Sequence, residues 1–291
     1  MNYTRVREKM TLFLEVAAVG LIAAIFILLC VPTKGDLLNA KETIVSTVVE
    51  NQSVVASDEV LAGMDIKSGS VERSLYDKAG ETETGKTLKR IALTFDDGPT
   101  PTVTNRILDT LEKYQAKATF FVVGRQLSHD KDLVKRAVSL GCEIGNHTWE
   151  HKQMTKYKKG ALKKSITKTE DAVKKYTGYD VCLVRPTYGK INDSVKKSVA
   201  RPMIYWNVDT EDWKSRDAKK IFASVKKENL REGDIILLHD LYPATADAIE
   251  KIVPYLQKEG YELVTVSELM AGEQMSLEAG KVYYSGREGG E

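Results

Sequence analysis

The chain has 291 residues, with 43 basic against 41 acidic side chains, 42% apolar residues, four histidines and three cysteines. The near-neutral charge excludes a nucleic-acid binder held mainly by electrostatics, and the apolar content excludes a globally disordered chain. Three scattered cysteines make neither a small disulfide scaffold nor a zinc site built from four cysteines.

In chain order, residues 1–10 form a basic leader, with Arg5, Arg7 and Lys9 against Glu8. The run Val16–Val31 carries no charge, and at ~1.5 Å per residue it covers roughly 24 Å of helix, a little less than a bilayer core. Extending it back to Thr11 takes in Glu15, which would lie near the cytoplasmic face where its cost is smaller. The run has no polar face, which argues against a buried helix of a soluble domain. A cleaved signal peptide is the competing reading. The run is long for such a peptide, no clear small-x-small site follows Cys30-Val31-Pro32, and Leu29 before Cys30 fits a lipoprotein site poorly. Residues 11–31 are therefore read as a transmembrane signal anchor. The leader then stays inside, and everything after it lies outside the cytoplasm, in a single-pass protein of the cell membrane. Residues 32–87 mix short Val/Leu patches with Ser, Thr, Glu, Asp, Lys and Gly and show no sustained period, as expected of a stalk.

Residues 88–271 are long enough for one sizeable core. Apolar runs predict strands at Arg90–Phe95, Ala118–Val123, Cys142–Asn146, Val181–Val184, Met203–Val208, Asp234–Leu238 and Glu262–Val266. Helices are predicted between most of them, at Thr102–Tyr114, Lys131–Leu140, Lys159–Lys175, Ala218–Asn229 and Thr245–Glu259. This alternation predicts an α/β architecture with a parallel sheet, either open and doubly wound or closed into a barrel. Residues 272–291 end in Gly-Arg-Glu-Gly-Gly-Glu and read as a tail.

In either architecture chemistry collects at the C-terminal ends of the strands. Five of those ends carry ionisable clusters, at Asp96-Asp97, His147 to His151, Arg185, Asp209 to Asp212, and His239-Asp240, and three of the four histidines lie there. His147 and His151 have an i, i+4 spacing, which on a helical turn puts both imidazoles on one face, suited to one metal ion. Two solvated loop residues would show the same spacing. Two histidines and one aspartate would leave coordination positions open, as in a catalytic site. Zn2+ is the default, with Co2+, Mn2+ or Fe2+ also compatible. The adjacent Asp96 and Asp97 diverge from a strand end, so one can bind metal while the other accepts a proton. A plain Asp-Asp-Gly-Pro turn is the alternative. His239 ends an apolar strand, where a neighbouring carboxylate would suit it to be a general acid; a core-edge histidine bonded to backbone reads equally well. Arg185 and Asp212 are read as groups that hold these, with ordinary structural salt bridges as the alternative. His129, before a helix, reads as a surface or capping residue.

The five clusters, in this order, resemble the polysaccharide deacetylases, also known as carbohydrate esterase family 4 or the NodB homology domain. Thr94-Phe95-Asp96-Asp97-Gly98-Pro99 looks like the family's first motif and His147-x3-His151 like its second. Arg185-Pro186-Thr187-Tyr188-Gly189 is similar to the third, with Thr187 in place of the usual proline. Asp209-x2-Asp212-Trp213 resembles the fourth, and Leu237-Leu238-His239 the fifth. The resemblance implies a distorted (β/α)7 barrel and metal-dependent removal of acetyl groups. It further implies that Asp97, His147 and His151 bind the metal, that Asp96 is the base and His239 the acid, and that Arg185 orients Asp96 while Asp212 tunes His239. The backbone N–H of Tyr188 would bind the oxyanion, and Trp213 and Leu237 would line the acetyl pocket.

With the anchor and stalk, this points to an extracytoplasmic N-deacetylase whose substrate is an acetylated cell-wall glycan, with N-acetylglucosamine of peptidoglycan favoured. Chitin oligomers, xylan or exopolysaccharide are alternative substrates, and a catalytically dead wall-binding module or a carboxylate-pair glycosidase are rival readings. No obligate protein partner is indicated. Cys142 and Cys182 fall in predicted neighbouring strands, either as a disulfide or as two buried thiols. The lysine-rich stretch 152–175 reads as a solvated helix face, or as a surface that attracts anionic wall polymers.

Overall fold

The structure, a computed structural model, describes residues 89–158 and 160–287, apart from the side chain of His129. All of these fall in the second of two units into which the chain divides, Asp77–Glu291. The expected leader, anchor and stalk over 1–87, and the reading of His129, lie outside what is described. Among the described residues no helix is long and apolar enough to cross a membrane.

The central strand β1 (Lys89–Asp96) is buried from Ile91 onward, as a parallel strand covered on both faces must be. It is followed by α1 (Pro101–Lys113), β2 (Thr119–Val122), α2 (Leu127–Ser139) and β3 (Glu143–Asn146). Next come α3 (Ala161–Thr177), α4 (Asp193–Ser198), β4 (Met203–Ile204), β5 (Val208–Asp209), α5 (Asp212–Ser215), α6 (Ala218–Lys227) and β6 (Ile235–His239). The chain closes with α7 (Pro243–Lys258), β7 (Tyr261–Leu263), α8 (Val266–Gly272) and β8 (Val282–Tyr283). Helix α1 starts with proline at its first position, where the missing N–H is harmless. It buries Val103, Ile107, Leu108 and Leu111, whose spacing puts them on one face of the helix. Helix α8 opens on a reciprocal cap between Thr265 and Glu268.

The strands pair in parallel in the order β3-β2-β1-β6-β5, with β7 also on β1 and a separate parallel pair β4-β8. Bridges from Asn146 to Val184 and from Val184 to Met203 link the two ladders. The expected α/β parallel architecture is therefore present. Alternation along β1 sorts its side chains: Ile91, Leu93 and Phe95 join the apolar layer that includes Ile107, Leu111 and Ile249 of the helices. Ala92 packs instead with Phe121, Leu183, Ile204 and Ile235. By the same two-residue period Thr94 and Asp96 share Ala92's face, which brings Asp96 to the end of that inner layer.

Three expectations are corrected, and one open alternative is decided. The predicted strand Val181–Val184 is reduced to the bridge at Val184, because Val184 alone is clamped between β3 and β4. The predicted Met203–Val208 splits into β4 and β5, because Tyr205 and Trp206 turn aside to stack on each other and enclose the Arg185 guanidinium. Residues 272–287 are no tail. Strand β8 pairs with β4, Tyr283 and Ser285 are buried, and Arg287 Nη1 meets the buried Asp234 Oδ1 at 2.7 Å. Finally, Cys142 is free and buried, so no Cys142–Cys182 disulfide forms; burial pushes its thiol up to about 11.

Candidate active site

The residues singled out by sequence converge at the C-terminal ends of β1, β3 and β6 and on the loops that follow. Arg185 anchors them. Its side chain is fully buried, and every arm is used: Nε donates to the Ile204 carbonyl at 3.1 Å, and Nη2 to the Tyr205 carbonyl at 2.9 Å. Nη1 donates to Thr94 Oγ1 and Asp96 Oδ1, both at 2.8 Å. The guanidinium also lies 4.1 Å from the Phe121 ring centroid. Burial lowers the Arg185 pKa, and the Asp96 carboxylate opposes that shift. One oxygen of Asp96 is thus committed to Arg185, while Oδ2 points elsewhere, 3.7 Å from His147 Nε2.

The three residues expected to bind metal do meet. His151 Nε2 lies 2.9 Å and His147 Nε2 3.4 Å from Asp97 Oδ1, and one ligand atom from each residue falls within 4.8 Å of the others. The convergence is not built on a helical turn, which corrects the spacing argument. Residues 147–151 form a loop in which Thr148 and His151 take left-handed backbone (φ 68° and 54°). A hydrogen bond from the Thr148 N–H to Asn146 Oδ1 at 2.8 Å and another from the Gly124 N–H to the Thr148 carbonyl at 2.9 Å hold it. Asp97, Tyr188 and Glu211 are also left-handed (φ 78°, 59° and 51°). For side-chain-bearing residues this conformation costs roughly 1–2 kcal/mol each, and such strain tends to concentrate where geometry serves function.

The donor set fits a cation. His147 Nδ1 faces the Arg185 carbonyl at 2.8 Å, and a carbonyl can only accept, so the ring proton sits on Nδ1 and the Nε2 lone pair faces Asp97. Burial lowers the His147 pKa and keeps the ring neutral. Asp97 Oδ1 is buried and receives no well-aligned hydrogen bond. Burial alone would raise the Asp97 pKa, but contact with His151 foremost, with the other histidines around it, outweighs that and holds it down to about 2. Lone pairs converging on an ionised, unsatisfied oxygen are what a divalent cation would satisfy.

Across the site, His239 Nδ1 lies 2.8 Å from Asp212 Oδ1. Asp212 is fully buried, and its Oδ2 accepts from the His239 N–H and from Thr245 Oγ1, both at 2.7 Å. Burial would lower the His239 pKa, but Asp212, with Asp96 and Asp97 behind it, pushes it up to about 9. Leu237 is buried, whereas Tyr188 and Trp213 are 61% and 45% exposed. The Tyr188 ring lies 4.7 Å from that of His151. Thr94, Thr245 and Asp240 also belong to this constellation and were missed as site residues. The threonines carry no charge to mark them, and Asp240 differs from an ordinary turn residue only through burial.

The family model described as "Polysaccharide deacetylase" matches residues 83–203. A peptidoglycan-N-acetylglucosamine deacetylase of Bacillus cereus is 40% identical over 190 residues, covering 62% of this chain and 88% of the relative. The chain belongs to the polysaccharide deacetylase family. The peptidoglycan-N-acetylglucosamine deacetylase PgdA of Listeria monocytogenes is 43% identical over 211 residues, which are 71% of this chain and 44% of that protein. The chain thus spans less than half the length of that relative. Among solved structures, a family 4 acetyl xylan esterase of Clostridium thermocellum, in complex with a cobalt ion, superposes with a TM-score of 0.64 at 35% identity. The match covers 68% of this chain and 98% of that one.

Proposed function

We propose that this polysaccharide deacetylase is a metal-dependent N-deacetylase that hydrolyses the acetamido groups of cell-wall peptidoglycan and releases acetate, acting outside the cytoplasm from a membrane anchor. One observation carries the reading: two preorganised proton-transfer groups, Asp96 clamped by Arg185 and His239 clamped by Asp212, flank the convergent donors Asp97, His147 and His151. In this reading the parallel strands make up the distorted (β/α)7 barrel that the resemblance implies.

A divalent ion held by Asp97, His147 and His151, with Zn2+ the first choice, would supply a Lewis acid that polarises the acetyl carbonyl and acidifies water. Asp96 accepts the proton of the attacking water on Oδ2, the oxygen that Arg185 leaves free. The left-handed turn at Tyr188 offers its backbone N–H to the developing oxyanion. His239, protonated at neutral pH because Asp212 holds its Nδ1 proton, delivers a proton from Nε2 to the departing amine. Leu237 and Trp213 flank the acetyl methyl. No covalent enzyme intermediate is required.

The named substrates of the relatives favour peptidoglycan, and N-acetylglucosamine is the sugar we propose within it. The likeness to an acetyl xylan esterase makes acetylated xylan the second reading. The test is acetate release by the full-length chain, supplied with Zn2+ or Co2+, from acetylated peptidoglycan, chitin oligomers and acetylated xylan. Fastest release from peptidoglycan is expected. Release from xylan alone favours the second reading, and release from none of the three contradicts the assignment.

A further inference from the structure

Asp240 follows the proposed acid His239 at the end of β6, and the reaction outlined above does not use it. It is 1% exposed, and a buried carboxyl in such a place needs a reason. Three contacts tie it to the turn that carries Asp96 and Asp97. Its N–H donates to the Asp96 carbonyl at 3.2 Å. Its own carbonyl accepts from Thr100 Oγ1 at 2.6 Å. Its Oδ2 accepts from Thr104 Oγ1 at 2.5 Å, and Thr104 Oγ1 in turn accepts the Thr100 N–H at 2.8 Å. The carboxyl lies flat beneath Gly98, so a Cβ added there would sit 2.0 Å from Asp240 Oδ2 and 2.3 Å from Oδ1. The residue next to the left-handed Asp97 is thus pressed on a carboxyl that is itself fastened to the start of α1. Asp240 Oδ1 receives no well-aligned hydrogen bond, and with Pro99 and Thr104 the residue lines a small, partly open pocket. Burial, despite the Thr104 hydrogen bond and with Asp97's charge adding to the effect, pushes the Asp240 pKa up to about 7.

We propose that Asp240 is a positioning residue for the metal-ligand turn: held by Thr104 and packed under Gly98, its carboxyl sets the backbone that aims Asp97 at His147 and His151. The inference rests on the metal site of the proposed function. It predicts effects on ion binding and turnover that loss of stability alone would not produce, because no Asp240 atom has to touch substrate or ion.

The test is Co2+ titration of the full-length chain after chelation, read by calorimetry and by the visible absorption of the bound ion, alongside Tm and kcat and KM for acetate release. The variants are Asp240→Ala, Asp240→Asn, Thr104→Val and, as a control for stability alone, Glu143→Gln in the buried carboxyl at the start of β3. Asp240→Ala is expected to weaken Co2+ at least tenfold, to change its absorption bands, and to lower kcat with little change in KM. Asp240→Asn, which keeps the shape and an acceptor for Thr104, is expected nearer to the parent. Thr104→Val is expected to weaken Co2+ several-fold, and Glu143→Gln to lower Tm with Co2+ affinity and spectrum unchanged. Should Asp240→Ala not fold, Thr104→Val decides in its place. Affinity within twofold of the parent and an unchanged spectrum in the deciding variant overturn the proposal, as does an equal loss in Glu143→Gln. A parent chain that binds no Co2+ instead overturns the metal site itself.

Discussion

Two buried carboxylates sit at opposite ends of one parallel sheet and are handled in opposite ways. Glu143 opens β3, at the end of the sheet away from the site. Its oxygens are met by Thr119 Oγ1 at 2.8 Å, the Ser267 N–H at 3.1 Å and the Ser267 hydroxyl, with no cation among these partners. Burial raises its pKa. It ties the start of α8 to the sheet. Asp96 closes β1, at the other end, and is paired with a guanidinium whose every other arm goes to backbone or hydroxyl. The first carboxyl has every oxygen engaged in structure, whereas the second is fixed by one oxygen so that the other stays free. The left-handed residues Asp97, Thr148, His151 and Tyr188 also gather at the Asp96 end. In the proposed reading one end of the strands serves stability and the other chemistry.

Substitutions at the two ends should separate these roles. The largest effect is expected from His147→Ala, which removes a ligand donor and should lower kcat/KM by about 10^4-fold, since a Lewis acid contributes several kcal/mol to the transition state. Retained turnover, measured as acetate release, would contradict the site. Asp96→Asn should cost about 10^3-fold, within the range for a general base. It should also lower Tm, because the buried Arg185 charge loses its partner.

Asp212→Asn should lower kcat about 10- to 100-fold and move the basic limb of the pH profile toward acid. The sign follows from His239: its folded pKa is raised, so the protonated acid is present at low pH and is lost as pH rises through about 9. The stability that this pair contributes is likewise complete below the ordinary imidazole value of 6.5 and is lost through the same window. Without the Asp212 charge the limb should fall back toward 6.5; a bound cation near Asp97 shifts both profiles in the same direction and leaves their order intact. An unmoved limb in a kcat–pH series would break the assignment of His239.

At the other end, Glu143→Gln should leave kcat unchanged. It should lower stability by about 1–3 kcal/mol, because the hydrogen bonds that Thr119 and Ser267 make to a carboxylate become weaker ones to a neutral amide, as read by denaturant unfolding. A loss of kcat in this variant would erase the distinction between the two ends.

The sequence shows the chemical end more clearly than the structural one, for a physical reason. Charged residues immediately after apolar runs are conspicuous, so Asp96, Asp97, His147, His151, Arg185, Asp212 and His239 can be read directly, and the structure brings them together. The means of convergence cannot be read. The His147–His151 loop depends on left-handed turns, where an i, i+4 spacing suggests a helix. Strand β8 is two residues long and pairs with β4, distant in sequence, so no local period marks it and its segment reads as a tail. Val184 forms a bridge rather than a strand because its neighbours in space, not its own apolar run, decide the pairing. Asp240 looks like a polar turn residue until burial places it beneath Gly98.

In the proposed function Asp97, His147 and His151 hold one divalent ion that the reaction needs. The most direct test is to strip the full-length chain with a chelator, titrate it with Co2+, and follow bound metal and acetate release together. Activity is expected to vanish on stripping and to return in proportion to the ion bound, saturating at one ion per chain, with both lost in His147→Ala. Full activity in the stripped protein, or ion binding unaffected by His147→Ala, would contradict that reading.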